Sequence, residues 1–306
     1  MRKARLPYAK AICYSGFRNG QSPETGTFPT YDEVKEDLEI LQGQWRFLRL
    51  YACDEHATTV LKVIEQEGFS FKVMLGAYIT AEVNNPNCPW GGTYPEKVLK
   101  KNKAFNEQEI DRLIQLAFRY PAIINIVSIG NEAAVDWTDH LVPLDSLLRY
   151  ATKVKECIPQ PVTFCENYVP WLNKLKPLGK ILDLIAIHTY PVWEYKSIEE
   201  GLAVTKANYQ AAADAYPGKQ IIITEAGWAT QSNGRGIEPH QVNEEFQARY
   251  FKELMQWAEE QEILVYYFEA FDEAWKGSDH PQEPEKHWGL YRTNRKPKRA
   301  LAEGVL

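Results

Sequence analysis

The chain has 306 residues, 44% hydrophobic and 25% charged, with a formal net charge of −6. That length admits two domains or one large α/β barrel, which takes about 250 residues. The acidic balance argues against nucleic acid or anionic membrane as a partner and suits a neutral ligand. Nine Trp and 17 Tyr raise the aromatic share to 12%; such rings pack against sugar faces, although more than half of them are expected in the core.

In chain order, the N-terminus MRKARLPYAKAICYSG is basic but holds no apolar stretch of signal-peptide length. The compartment stays open: cytoplasmic as the chain stands, periplasmic or secreted if a leader has been removed. No segment approaches the roughly 20 apolar residues of a membrane span. Short β-branched runs then alternate with helical patterns. The strand candidates are Ala11–Tyr14, Arg46–Tyr51, Lys72–Tyr78, Ile123–Ile129, Val162–Cys165, Leu184–Tyr190, Gln220–Glu225 and Ile263–Phe268. Several are apolar almost throughout, as buried parallel strands are. Helices are expected over Tyr31–Gln42, Thr58–Glu67, Glu107–Phe118, Leu144–Cys157, Pro170–Leu175, Ile198–Ala215, Gln241–Glu260 and Lys298–Glu303. Apolar residues at three- and four-residue spacing mark their buried faces, for example Val34, Leu38 and Leu41.

Gly68, Gly179 and Gly218 stand where helices should end. Thr80 to Asn106 reads as a connector too long to be idle, a wall beside the site. Strand–helix alternation leaves a closed barrel or an open doubly wound sheet. The first loop, YSGFRNGQSPETGTFP, lacks the glycine-rich phosphate loop of the open sheet. The expectation is therefore a single (β/α)8 TIM barrel, one catalytic domain spanning 1–306, and a monomer. Cys13, Cys53, Cys88, Cys157 and Cys165 are scattered without zinc-ligand spacing. Cys13, Cys53 and Cys165 read as buried thiols, while a disulfide at Cys88 stays open.

Two of the apolar runs end in glutamate: INIVSIGNE at Glu132 and KQIIITEAGW around Glu225. In a barrel, strand C-termini meet in one site. Two carboxylates facing one pocket are the minimum equipment for breaking a glycosidic bond by acid/base and nucleophilic catalysis. Other strand ends contribute Tyr14, Arg18, Tyr51, Asp54, Glu55, Tyr78, Glu82, Asn131, Glu166, His188, Tyr190, Trp228, Glu269, Asp272, Glu273, Trp275 and Lys276. Such a rim is dense in carboxylates.

The chain resembles glycoside hydrolase family 17, the β-1,3-glucanase family within the clan of (β/α)8 retaining glycosidases. The likeness runs nearly end to end through FLRLY, VMLGAY, VSIGNEA, IHTYP, ITEAGW, FEAFDEAWK and HWGLY. It implies a metal-free, cofactor-free enzyme acting on β-1,3-glucan of the laminarin type or its oligosaccharides. It makes Glu132 the acid/base and Glu225 the nucleophile. Asn131 would hold the hydroxyl beside the anomeric carbon, and Tyr190 would bond the nucleophile. Glu273, Lys276 and Glu285 match further polar site residues. Trp228, Trp275 and Trp288 are candidate stacking walls, and Tyr51 joins the substrate-binding set. His188, where the family more often has Asn, and Thr224 and Ala226, where it more often has Ser and Thr, depart from the pattern and bear on fine specificity. Retention requires carboxyls about 5–5.5 Å apart, Glu132 protonated and Glu225 ionised; repulsion from Glu225 and partial burial are expected to raise the pKa of Glu132.

Competing readings are a metal cluster at Asp54, Glu55 and His56, a Schiff-base role for Lys276, and a general-base role for His188. His188 reads equally as a hydrogen-bonded residue of the pocket floor, and His287 as structural. Glucanosyl transfer on the same site, a clan relative acting on β-1,4-glucan or mannan, and a glucan-binding barrel without catalysis complete the alternatives.

Overall fold

The computed structural model describes residues 5–302. Eight parallel strands close in sequence order into a barrel: β1 (Ala11–Cys13), β2 (Phe47–Leu50), β3 (Lys72–Gly76), β4 (Ile124–Asn131), β5 (Val162–Asn167), β6 (Leu184–His188), β7 (Gln220–Ala226) and β8 (Val265–Tyr267). The seam is β1 on β8, with Ala11 opposite Tyr266 and Ile12 opposite Tyr267. Helices α1 (Tyr31–Leu41), α2 (Glu55–Glu67), α3 (Glu96–Arg119), α4 (Leu144–Cys157), α5 (Tyr168–Leu172), α6 (Lys176–Ile181), α7 (Ile198–Ala215), α8 (Glu244–Glu260) and α9 (Arg299–Ala302) connect and cover them. Among the described residues, no helix is long and apolar enough to cross a membrane. All eight strand runs read from the sequence are strands, so the (β/α)8 expectation holds. The end of the predicted final helix, Glu303, lies outside the described residues, as do Met1 to Ala4.

Local chemistry sets the helix boundaries. Thr30 and Glu33 form a reciprocal capping box on α1, and Ser197 with Glu200 does the same on α7. The Asp54 carboxylate accepts from the Ala57 amide at 2.9 Å, which starts α2 at Glu55 rather than Thr58. Gly68 ends α2 in the left-handed region at φ 72°.

Two expectations need correction. Gly179 lies inside α6, not at a helix end; a Cβ there would meet the Tyr216 ring at 2.3 Å, so close packing requires the glycine. The segment from Glu96 to Asn106 is helical, so the long connector is shorter than read. Its exposed polar stretch gives no apolar stripe for periodicity to detect, because the first turns of α3 face solvent.

Three register shifts fall near the C-terminal ends of the strands, between Ser128 and Asn131 on β4, Ile187 and His188 on β6, and Ile223 and Ala226 on β7, and a further one lies early in β3 between Val73 and Met74. Such irregularities re-aim side chains, here those of Asn131, His188 and Glu225.

Candidate active site

Glu132 follows β4 directly, with its backbone at φ 44°. For a non-glycine residue this left-handed conformation is strained and persists only when its surroundings enforce it. Here the Glu132 amide donates to the Cys165 carbonyl at 2.9 Å. Just beyond, the buried Glu166 carboxylate accepts from the amides of Ala134 at 2.8 Å and Val135 at 3.1 Å. Gly130 is required because a Cβ would lie 2.6 Å from Ile79. Burial and the nearby Glu132 push Glu166 up to about 8. It holds the loop that aims Glu132 and does not face the cleft.

Glu225 is 5% exposed, near the end of β7. Oxygen atoms of Glu132 and Glu225, with a ring nitrogen of His188, all lie within 4.8 Å of one another. Two residues far apart in sequence therefore bring their carboxylates to one point at the barrel mouth.

Arg49 on β2 is the residue that sequence reasoning did not single out. Its guanidinium, 2% exposed, donates to Glu225 Oε1, to Asn131 Oδ1 and, at 3.0 Å, to the Thr224 carbonyl. It also lies 4.4 Å from the centroid of the Tyr51 ring. The signal was present in FLRLY: an arginine inside an otherwise apolar strand must find a carboxylate or pay heavily in desolvation. The Tyr190 hydroxyl donates to Glu225 Oε2. Burial raises the pKa of Glu225, but His188, Arg49 and the Tyr190 bond outweigh it and hold this carboxyl below its ordinary value. An ionised carboxylate at that position is equipped to attack.

Asn131 accepts from Arg49 through Oδ1, which leaves its amide NH2 for a ligand. Its carbonyl is bonded to His140 Nε2 at 3.0 Å, and the His140 ring stacks on Tyr78. On the β8 side, Lys276 Nζ bridges Glu269 at 2.7 Å and Glu273 at 2.5 Å. Glu285 is half-buried; burial pushes it up to about 7, Lys276 lowers it, and Glu132 and Glu225 raise it, so it shares their field. Trp275 is half-buried, edge-on to Phe17, with its indole N–H on Glu273 at 2.9 Å.

Three residues assigned to sugar contact lie behind the surface instead. Trp228 is fully buried, its N–H on the Gln241 carbonyl and its ring against Tyr250. Trp288 is fully buried among Tyr190, Phe268 and Trp193, backing Tyr190 rather than facing a ligand. Glu273, also fully buried, accepts from Ser15 and anchors Lys276. In each case position in a loop after a strand was correct, but packing turned the side chain inward.

The alternative metal cluster does not assemble: Asp54 caps α2, and the buried His56 accepts from the Gly16 amide at 3.2 Å. Lys276, held between carboxylates, stays protonated with its pKa raised above the usual lysine range, which disfavours a Schiff base. His287 bonds the Pro281 carbonyl, a structural contact. The five cysteines are free, Cys88 included, and only Cys157 is exposed.

The chain is similar to known proteins along most of its length. The family model described as BtgE/BtgC glycoside hydrolase domain matches residues 11–289. A glucan 1,3-beta-glucosidase of Arthroderma benhamiae is 27% identical over 92% of this chain and 88% of its own length. An endo-laminarinase from Formosa Hel1_33_131 superposes with TM-score 0.79 at 26% identity, covering 97% of this chain and 87% of that one. A glycoside hydrolase family 17 beta-1,3-glucanosyltransferase from Rhizomucor miehei superposes with TM-score 0.74 at 20% identity over 95% of each chain; at that identity the likeness concerns the fold.

Proposed function

Because the chain belongs to the BtgE/BtgC glycoside hydrolase family, we propose that it cleaves β-1,3-glucan or its oligosaccharides with retention of configuration, as a family 17-type enzyme whose whole length forms one catalytic domain. The observation that supports this reading is that an oxygen of Glu132 and an oxygen of Glu225 lie within 4.8 Å of each other, so that both carboxyls can reach one sugar ring, as a two-carboxylate glycosidase requires. The substrate class rests on the similarity to the glucosidase and the laminarinase and on the sequence motifs.

In this mechanism the Glu225 carboxylate attacks the anomeric carbon. The glycosidic C–O bond breaks, and Glu132 delivers its proton to the leaving oxygen. Arg49 and Tyr190 hold Glu225 in place and keep it ionised. Asn131 donates its free amide hydrogens to a sugar hydroxyl beside the reacting carbon. Glu132, now a carboxylate, then takes a proton from water or from a second sugar hydroxyl, and that oxygen releases the glycosyl group from Glu225. Tyr51, Trp275, Lys276 and Glu285 are the remaining substrate-facing groups in this reading. The cation at Arg49 and the hydrogen bond from Tyr190 offset the charge of Glu225.

Incubation with laminarin, followed by chromatography and proton NMR, tests the assignment. Short oligosaccharides whose first-formed anomer is β support hydrolysis with retention, and products longer than the substrate indicate transfer. An α anomer removes Glu225 as nucleophile. Absence of products from every β-glucan contradicts the reading altogether.

A further inference from the structure

Glu132 keeps a backbone angle that side chains rarely adopt, φ 44°, and such a residue needs neighbours that enforce it. That angle is the rotation of Glu132 against the peptide plane it shares with Asn131. Both polar atoms of this plane are bonded. Its N–H donates to the Cys165 carbonyl at 2.9 Å, and its C=O is bonded to His140 Nε2 at 3.0 Å. A carbonyl only accepts, so Nε2 carries the hydrogen.

The loop between β4 and α4 is built to deliver that ring. The Val142 amide donates to the Ala133 carbonyl at 2.8 Å and closes the loop back on the strand end. Buried Asn85 donates to the carbonyls of Asp136 at 2.8 Å and Thr138 at 2.7 Å. The Glu82 amide donates to the Leu141 carbonyl at 3.0 Å. The second ring nitrogen, Nδ1, lies 2.7 Å from Asp139 Oδ1 and 3.1 Å from Thr138 Oγ1. Tyr78 stacks on the ring, with centroids 6.0 Å apart. Both edges and one face of the imidazole are therefore held.

We propose that His140 is a positioning residue for the acid/base: through the Asn131 carbonyl it fixes the peptide plane that aims the Glu132 carboxyl at the leaving oxygen. This inference rests on the retaining glycosidase reading of the site. Cys165 and Glu166 secure the same turn from β5, and His140 secures its carbonyl side from the opposite direction in the chain. The same bond fixes the backbone of Asn131, whose side chain stands beside the reacting carbon.

A misaimed acid matters where the leaving oxygen needs a proton, and not where the leaving group departs unaided. kcat/KM reports the steps up to formation of the glycosyl–enzyme. It is measured on laminarihexaose and on a dinitrophenyl β-laminaribioside, whose leaving group departs as the phenolate. We expect His140→Ala to lower the ratio of the two values, hexaose over aryl glycoside, about tenfold or more. His140→Gln, which returns an N–H near the Nε2 position, should recover most of that ratio. Equal losses on both substrates would show a ring that only supports the fold, and they overturn the proposal. So does an unchanged ratio, or a glutamine variant no better than alanine.

If neither variant folds, the wild-type enzyme carries the test. With ¹⁵N-labelled histidine, His140 Nε2 should resonate as a protonated nitrogen whose hydrogen exchanges slowly with solvent. A bare Nε2, or a hydrogen that exchanges as fast as that of free imidazole, overturns the proposal. A wild-type enzyme that turns over neither substrate contradicts the glycosidase reading itself. An active wild type with equal losses in the variant contradicts the role of His140 alone, so the two failures are distinguishable.

Discussion

Replacing Arg49 with methionine removes the guanidinium and keeps most of the side-chain volume. Both partners of the Arg49–Glu225 pair are almost wholly buried, at 3% and 7% side-chain exposure. Removing one member of a buried pair costs about 3–5 kcal/mol, because the remaining charge has lost its main compensation. The expected loss lies in that range, reduced somewhat because His188 and Tyr190 still face Glu225. Its pH dependence follows from the lowered pKa of Glu225. A carboxyl whose folded pKa is depressed adds stability above its unfolded pKa, and that contribution disappears as pH falls through the folded value. The destabilisation by Arg49→Met is therefore full at neutral pH and shrinks in acid. Urea unfolding at pH 7 and pH 4, with kcat/KM across the same range, measures both effects; kcat/KM should fall about 10²-fold and its acid limb should rise. Adding Glu225→Gln to the variant should recover part of the stability, since the buried charge is then gone. A loss below about 1 kcal/mol at pH 7 with an unmoved acid limb refutes the pairing as the source of the nucleophile's ionisation.

The other expectations are simpler. Tyr190→Phe removes one of the bonds to Glu225 and should lower kcat more than it raises KM, read from steady-state kinetics on laminarin with pH. Trp275→Ala should raise KM on oligosaccharides with little effect on stability, whereas Trp228→Ala should cost about 3–5 kcal/mol in urea unfolding as a core truncation. Gly227→Ala places a Cβ 2.0 Å from the Phe268 carbonyl and should destabilise by about 1–3 kcal/mol or more, seen as a lower denaturation midpoint. Glu166, pushed up to about 8, contributes stability at low pH that is lost as pH rises from its unfolded value through about 8. Glu166→Gln should flatten the fall of unfolding free energy across that window.

The barrel was legible because each strand is an apolar run bounded by turn residues, and a closed sheet needs little else. Asn131, Glu132, Tyr190 and Glu225 were legible because a strand end fixes where a side chain emerges. Trp228, Trp288 and Glu273 were not, because a loop position does not say which way a ring or carboxylate turns; Tyr250 receives Trp228, the rings of Tyr190 and Phe268 receive Trp288, and Ser15 with Lys276 holds Glu273. Arg49 hid inside a strand whose apolar neighbours suggested core. The early start of α3 was invisible because its first turns carry no buried stripe. His188 was visible as a strand-end residue, but its place beside both carboxylates, 2.8 Å from Glu132 Oε1 and 3.4 Å from Glu225 Oε2, arises from strand register, a property of the assembled sheet.

Mass spectrometry of the enzyme after reaction with a 2-deoxy-2-fluoro laminaribiosyl fluoride addresses the two-carboxylate account most directly. The account predicts one covalent glycosyl group, located by peptide sequencing on Glu225, with turnover restored when an acceptor sugar is added. A label on Glu132 or on any other residue contradicts it.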